Sequence, residues 1–133
     1  MNAAKEQRAK LVKLLPVSVP SHCALMQPVA QQLLAAMADI SFQMPKIAVL
    51  HNVDAAMATD IAQLKQKLAQ QVCSPVQWEQ TMQAMAAQGI VASVECGPGK
   101  VLQGLNKRIV SEMTHGNLSD VAGLQAALQL CDN

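Results

Sequence analysis

Aromatic side chains are nearly missing from this chain. Its 133 residues include one Trp, one Phe and no Tyr, 2% in all. Leu, Val, Ile, Ala and Met must therefore pack the interior. A strong charge of either sign is missing too. The formal net charge is +1, which gives no overall footprint for nucleic acid or for an anionic membrane surface. No run of about 18 apolar residues occurs, so no membrane span is expected. The N-terminus is polar and lacks the apolar stretch of a secretory signal. The four cysteines, Cys23, Cys73, Cys96 and Cys131, form no C-x-x-C pair. No His stands at zinc-finger spacing from them, so reduced thiols in a cytoplasmic protein are the expectation. A G-x-S-x-G nucleophile elbow is also lacking.

Apolar material is plentiful. Hydrophobic residues make up 51% of the chain, enough for a packed core and too much for disorder. The eight Met residues suit loosely shaped helix–sheet contacts better than a dedicated Met-lined groove. Basic residues gather at Lys5, Arg8, Lys10 and Lys13, and again at Lys100, Lys107 and Arg108. A solvated helix face is the plainer reading of both groups.

The periodicity predicts helices alternating with strands. Residues 2–10 read as an exposed helix, and residues 11–19 as a strand or edge segment whose second half is bracketed by Pro16 and Pro20. Met26, Val29, Ala30, Leu33, Leu34 and Met37 mark one face of a helix over 25–39. Lys46 to Leu50 reads as a buried strand. Asp60 or Thr59 caps a helix whose face is Ile61, Leu64, Leu68 and Val72. Ser74-Pro75-Val76-Gln77 carries a capping-box signal for a helix ending at Gly89. Residues 90–96 form a strand, Gly97-Pro98-Gly99 turns into a helix through Met113, and Gly116-Asn117 breaks it. A last helix spans about 119–130. The fold class is α/β. So few strands make a poor free-standing parallel sheet, which suggests part of a larger fold.

Few residues carry obvious chemistry. Of the three histidines, His51 and His115 attract no constellation. His22 lies in a Pro-Ser-His-Cys turn; by itself it is a general base only beside a nucleophile and an orienting partner. Ser21 and Cys23 diverge from it as sequence neighbours. Cys96 sits at a strand end with no base beside it. Gly97-Pro98-Gly99-Lys100 resembles a phosphate cradle but lacks Walker spacing, so a tight turn with at most weak anion contact is the reading.

Several segments nevertheless agree with one family. Val17-Ser18-Val19-Pro20-Ser21-His22-Cys23-Ala24-Leu25-Met26 resembles the histidine-bearing segment of bacterial malonyl-CoA:acyl carrier protein transacylases. Asn52-Val53-Asp54, Ser74-Pro75-Val76-Gln77-Trp78, Gly97-Pro98-Gly99-Lys100-Val101-Leu102 and Asn106-Lys107-Arg108-Ile109 follow in the family's order. The likeness runs from about residue 9 to residue 112.

The resemblance implies that His22 is the general base and that the backbone carbonyl of Gln71 orients it. It also implies that Asn52 and Val101 border the substrate cleft. Substrates would be malonyl-CoA and phosphopantetheinylated acyl carrier protein, with no cofactor. Three family elements have no counterpart: the G-Q-G-S-Q segment, the elbow serine and the arginine that pairs with the malonyl carboxylate. The implied arrangement places residues 1–19 as the last helix and strand of a ferredoxin-like small subdomain. Residues 20–133 would be the C-terminal part of an α/β hydrolase-like acyltransferase core. Arg8 stands where relatives often carry Gly, so the first helix ends differently. Alone, such a chain is expected to be inactive. The alternative is a non-catalytic module that docks acyl carrier protein or complements a separate N-terminal half.

Overall fold

A computed structural model of the chain describes residues 2–13 and 17–131. Helix α1 spans Asn2–Glu6 and stops short of the expected residue 10. Arg8 adopts a left-handed φ of 60°, the conformation that ends helices and that Gly takes most easily. The expected strand over 11–19 lies partly outside the described residues; its described parts join no strand.

A short 3-10 turn, Ala24–Met26, leads into α2, Gln27–Ala36. Pro28 falls in the first turn of α2, where its missing N–H costs nothing. Helix α3, Ile61–Gln70, is capped by Asp60, whose carboxylate accepts the Gln63 amide at 2.8 Å. The Gln63 side chain reaches back to the Thr59 amide. Helices α2 and α3 pack on each other through Ala30, Met37, Leu64 and Ala69, all buried.

Two expectations fail between these elements. Residues 46–50 form no strand; the segment ends in a single antiparallel bridge, His51 to Ala56. A strand needs a neighbour for its backbone N–H and C=O groups, and the described residues supply none beside 46–50. Ile47 is 81% exposed as a result. The capping box at Ser74 also fails. Helix α4 begins only at Trp78 and ends at Ala87, with Gln77 at its cap position. The Gln77 amide is drawn instead to the Asn52 carbonyl at 2.7 Å, which keeps 74–77 out of the helix.

Strand β1, Ala92–Glu95, and strand β2, Thr114–Asn117, pair in parallel with Ala92 opposite Thr114. Helix α5, Val101–Ile109, crosses between them. Strand β2 stands where a helix break was expected. Its buried residues, His115 and Asn117, are polar, so no apolar alternation advertised it. Helix α6, Val121–Cys131, packs against β2. Met82, 1% exposed, is the most deeply buried large side chain among the described residues. Many other apolar residues are open: Leu25, Val91, Val101 and Val121 are each more than 70% exposed. Among the described residues no helix is long and apolar enough to cross a membrane.

Candidate active site

His22 is clamped at the C-terminal end of α3. Its own amide donates to the Val72 carbonyl at 3.0 Å. Its ring Nδ1 lies 2.8 Å from the Gln71 carbonyl oxygen. A carbonyl can only accept, so Nδ1 carries the proton and Nε2 is left with its lone pair. Gln71 is the C-cap of α3, and its carbonyl is one of those a helix end leaves unsatisfied. His22 itself is exposed and holds φ at 61°. Left-handed backbone is uncommon for a residue with a side chain. The surrounding turn holds it there: Ser21 donates to the Val19 carbonyl, and the Cys23 thiol lies 3.1 Å from the Pro20 carbonyl.

The chemistry available is that of a general base with a fixed tautomer. Nε2 can take a proton from a nucleophile brought beside it, and the Gln71 carbonyl keeps the ring from turning. A neutral carbonyl stabilises the resulting cation less than a carboxylate would.

The other expected residues sit apart from this pair. Asn52 is half-buried, and its carbonyl is committed to Gln77. It belongs to a tight turn, 51–57, in which His51 accepts the Ala55 amide and Ala55 holds φ at 55°. Val101 opens α5 and is 73% exposed, so it borders open solvent in this chain.

The turn at Asn52 rests on a residue the sequence did not single out. Lys67 is 5% exposed. Its ammonium donates to the Ala56 and Met57 carbonyls at 3.2 and 3.0 Å and lies 2.7 Å from the Asp54 carboxylate. Burial alone would raise the Asp54 carboxyl. The Lys67 hydrogen bond, the Ala56 amide and the Lys67 charge outweigh it and hold it below the usual carboxylate range. Neighbouring His51 is 7% exposed, and its Nε2 has no partner. Burial first, then the positive charge of Lys67, pushes that imidazole below its ordinary value.

The loop at 97–100 is not an anion site. The Glu95 carboxylate already accepts the Leu102 and Gln103 amides at 3.2 and 2.8 Å, so the first turn of α5 is occupied from within. Lys100 faces Asp120 at 3.7 Å. His115, expected to stand alone, is tied on both sides. Its Nε2–H donates to the Val110 carbonyl at 2.9 Å, and its Nδ1 accepts from the Ser93 hydroxyl at 2.8 Å. This joins β1, β2 and the end of α5. Among the described residues no cluster of His, Cys, Asp or Glu could hold a metal.

No protein-family profile matches the chain, but individual relatives do. The malonyl CoA-acyl carrier protein transacylase of Salmonella typhimurium is 48% identical over 126 residues, covering 95% of this chain and 41% of that protein. The transacylase of the same name from Bacillus subtilis is 36% identical over 126 residues, covering 95% and 40%. Among solved structures, the transacylase of Xanthomonas oryzae superposes with a TM-score of 0.92 at 43% identity, covering 97% of this chain and 41% of that one. A malonyl-transacylase in complex with its type II PKS acyl-carrier protein gives a TM-score of 0.92 at 39% identity, covering 97% and 42%. The chain thus spans about two fifths of the length of these relatives. Sequence and backbone agree over nearly all of it, and it belongs to the malonyl-CoA:acyl carrier protein transacylase family as a C-terminal portion.

Proposed function

We propose that this chain supplies the general-base portion of a malonyl-CoA:acyl carrier protein S-malonyltransferase. The single observation that carries the reading is the His22 Nδ1 to Gln71 carbonyl contact at 2.8 Å, which leaves Nε2 as the proton acceptor. A serine hydroxyl from the family's preceding portion would attack the malonyl thioester while Nε2 takes its proton. His22 then returns that proton to the departing coenzyme A thiol. The steps reverse with the phosphopantetheine thiol of acyl carrier protein as acceptor. The family relative solved with its carrier protein supports acyl carrier protein as the partner. Asn52 and Val101 are assigned to the substrate cleft, which the matching order of family segments supports. The reading calls for no cofactor and places the protein in the cytoplasm. It puts the boundary between the end of a small subdomain and the acyltransferase core at residues 19–20.

The isolated chain has no serine elbow. Incubated with malonyl-CoA and holo acyl carrier protein, it is expected to give no malonylated species by intact mass. A malonylated chain or carrier above background would overturn that expectation.

A further inference from the structure

We propose that Lys65 is a positioning residue for the His22–Gln71 pair, acting by locking α3 in place against α2. This rests on the reading of His22 as the base, but its geometry can be tested without any reaction.

The two helices run antiparallel and are tied at both ends of α2, to the C-terminal end and to the middle of α3. At one end His22, just before α2, binds the carbonyls of Gln71 and Val72 at the end of α3. At the other, the Lys65 ammonium donates to the Ala38 and Ile40 carbonyls, just beyond α2, at 3.1 and 2.9 Å. The same ammonium lies 5.1 Å from the centre of the Phe42 ring, within cation–π range. Three donors on one nitrogen thus meet two carbonyls and a ring face.

Packing between these ties is thin towards His22. The buried apolar residues there are Ala30 and Ala69, too short to interlock, and the buried Lys67 side chain is committed to the 51–57 turn and not to α2. Beside them runs an open groove of about 250 Å³, lined in part by Gln27, Gln31, Gln66 and Gln70. The larger buried side chains, Met37 and Leu64, adjoin Ala38 and Lys65. The contact at Lys65 is therefore the anchor of α3 on α2, while Lys67 ties α3 to the 51–57 turn. Six residues separate Lys65 from Gln71, about 9 Å along the helix. A tilt of about 5° over that length moves the Gln71 carbonyl by roughly 0.8 Å. That suffices to take a 2.8 Å contact to the limit of a hydrogen bond.

The readout is the tautomer of His22, measured by long-range proton–nitrogen correlation on the chain labelled with nitrogen-15 histidine. Three histidines are assigned by single replacements. His22 is expected as the Nδ1–H form, against the Nε2–H preference of free imidazole. Lys65→Met should raise the ratio of Nε2–H to Nδ1–H at His22 about threefold to tenfold, the shift that losing one modest hydrogen bond produces. Lys65→Arg, whose fork can serve both carbonyls, should restore the original ratio. A folded Lys65→Met chain with an unchanged ratio would overturn the proposal, even if it melts earlier. Should Lys65→Met not fold, Lys65→Gln serves instead. Its amide is uncharged and too short to span both carbonyls, and an unchanged ratio there overturns the proposal equally. The measurement involves no serine and no thioester, so a failed malonyl-transfer reading and a failed Lys65 lock give different results.

Discussion

His22 combines three constraints in one residue: a left-handed backbone, a committed amide and a committed ring nitrogen. Left-handed φ costs a residue with a side chain roughly 1–2 kcal/mol, and Asn tolerates it best after Gly. His22→Asn should therefore keep the fold within about 1 kcal/mol. His22→Val should cost about 1–2 kcal/mol more, since β-branching crowds that region. Urea unfolding of the two variants checks the order. His51 has the opposite problem, a buried ring with an unpartnered nitrogen. Its affinity for a proton is lowered by burial and by Lys67, so below about pH 6.5 the unfolded chain binds the proton more readily. Stability from this site is complete above that pH and is lost as pH falls through it towards the folded value. His51→Leu should flatten the loss between pH 7.5 and 5.5 in denaturant titrations; an unchanged slope would contradict the assignment. His22 was legible because its neighbours in sequence form a recognisable segment. Lys67 was not, because a helical lysine reads as solvated until the 51–57 turn folds over it.

At the level of elements, periodicity located α2, α3, α5 and α6 from their apolar stripes, although the stripes of α5 (Leu102, Leu105) and α6 (Val121, Leu124, Leu128) are exposed in this chain. It failed where structure depends on a distant partner. Residues 46–50 carry the apolar run of a strand but find no neighbour to pair with among the described residues. Ser74 to Gln77 carry a capping box, but a tertiary hydrogen bond to Asn52 outweighs it. Strand β2 was hidden because hydrogen bonds satisfy its buried polar side chains. Asn117 Nδ2 donates to the Gln103 side chain at 3.1 Å, and the His115 ring meets the Ser93 hydroxyl at 2.8 Å and the Val110 carbonyl at 2.9 Å. The contact of α6 with β2 gives a prediction in which two effects oppose. By helix propensity alone, Gly123→Ala gains about 1 kcal/mol. A Cβ there would stand 2.5 Å from the Asn117 carbonyl oxygen, which backbone cannot easily yield. The clash should win, and Gly123→Ala should be less stable by about 1–3 kcal/mol. A raised melting temperature would show that α6 sits further from β2.

For the whole molecule, open apolar surface goes together with a sheet of only two strands among the described residues. The chain covers 41% of the length of its Salmonella relative, and a parallel sheet is normally covered on both faces. Among the described residues strand β1 pairs with β2 alone, and none of them pairs with its other edge. A groove lined by Val94, Leu118, Leu124 and Leu128 is likewise apolar and open. Large exposed apolar patches mark surfaces that bind something. On the proposed function, that something is the preceding portion of a transacylase, and His22 acts only when its serine arrives. The direct measurement joins the preceding portion of the Salmonella typhimurium relative to this chain and follows malonyl transfer to acyl carrier protein. The joined protein should transfer malonyl, and His22→Ala within it should lower the rate about 10²- to 10⁴-fold, the usual contribution of a general base. Gln71→Ala should leave the rate nearly unchanged, since only its backbone carbonyl is used. Transfer that survives His22→Ala at full rate would contradict the account.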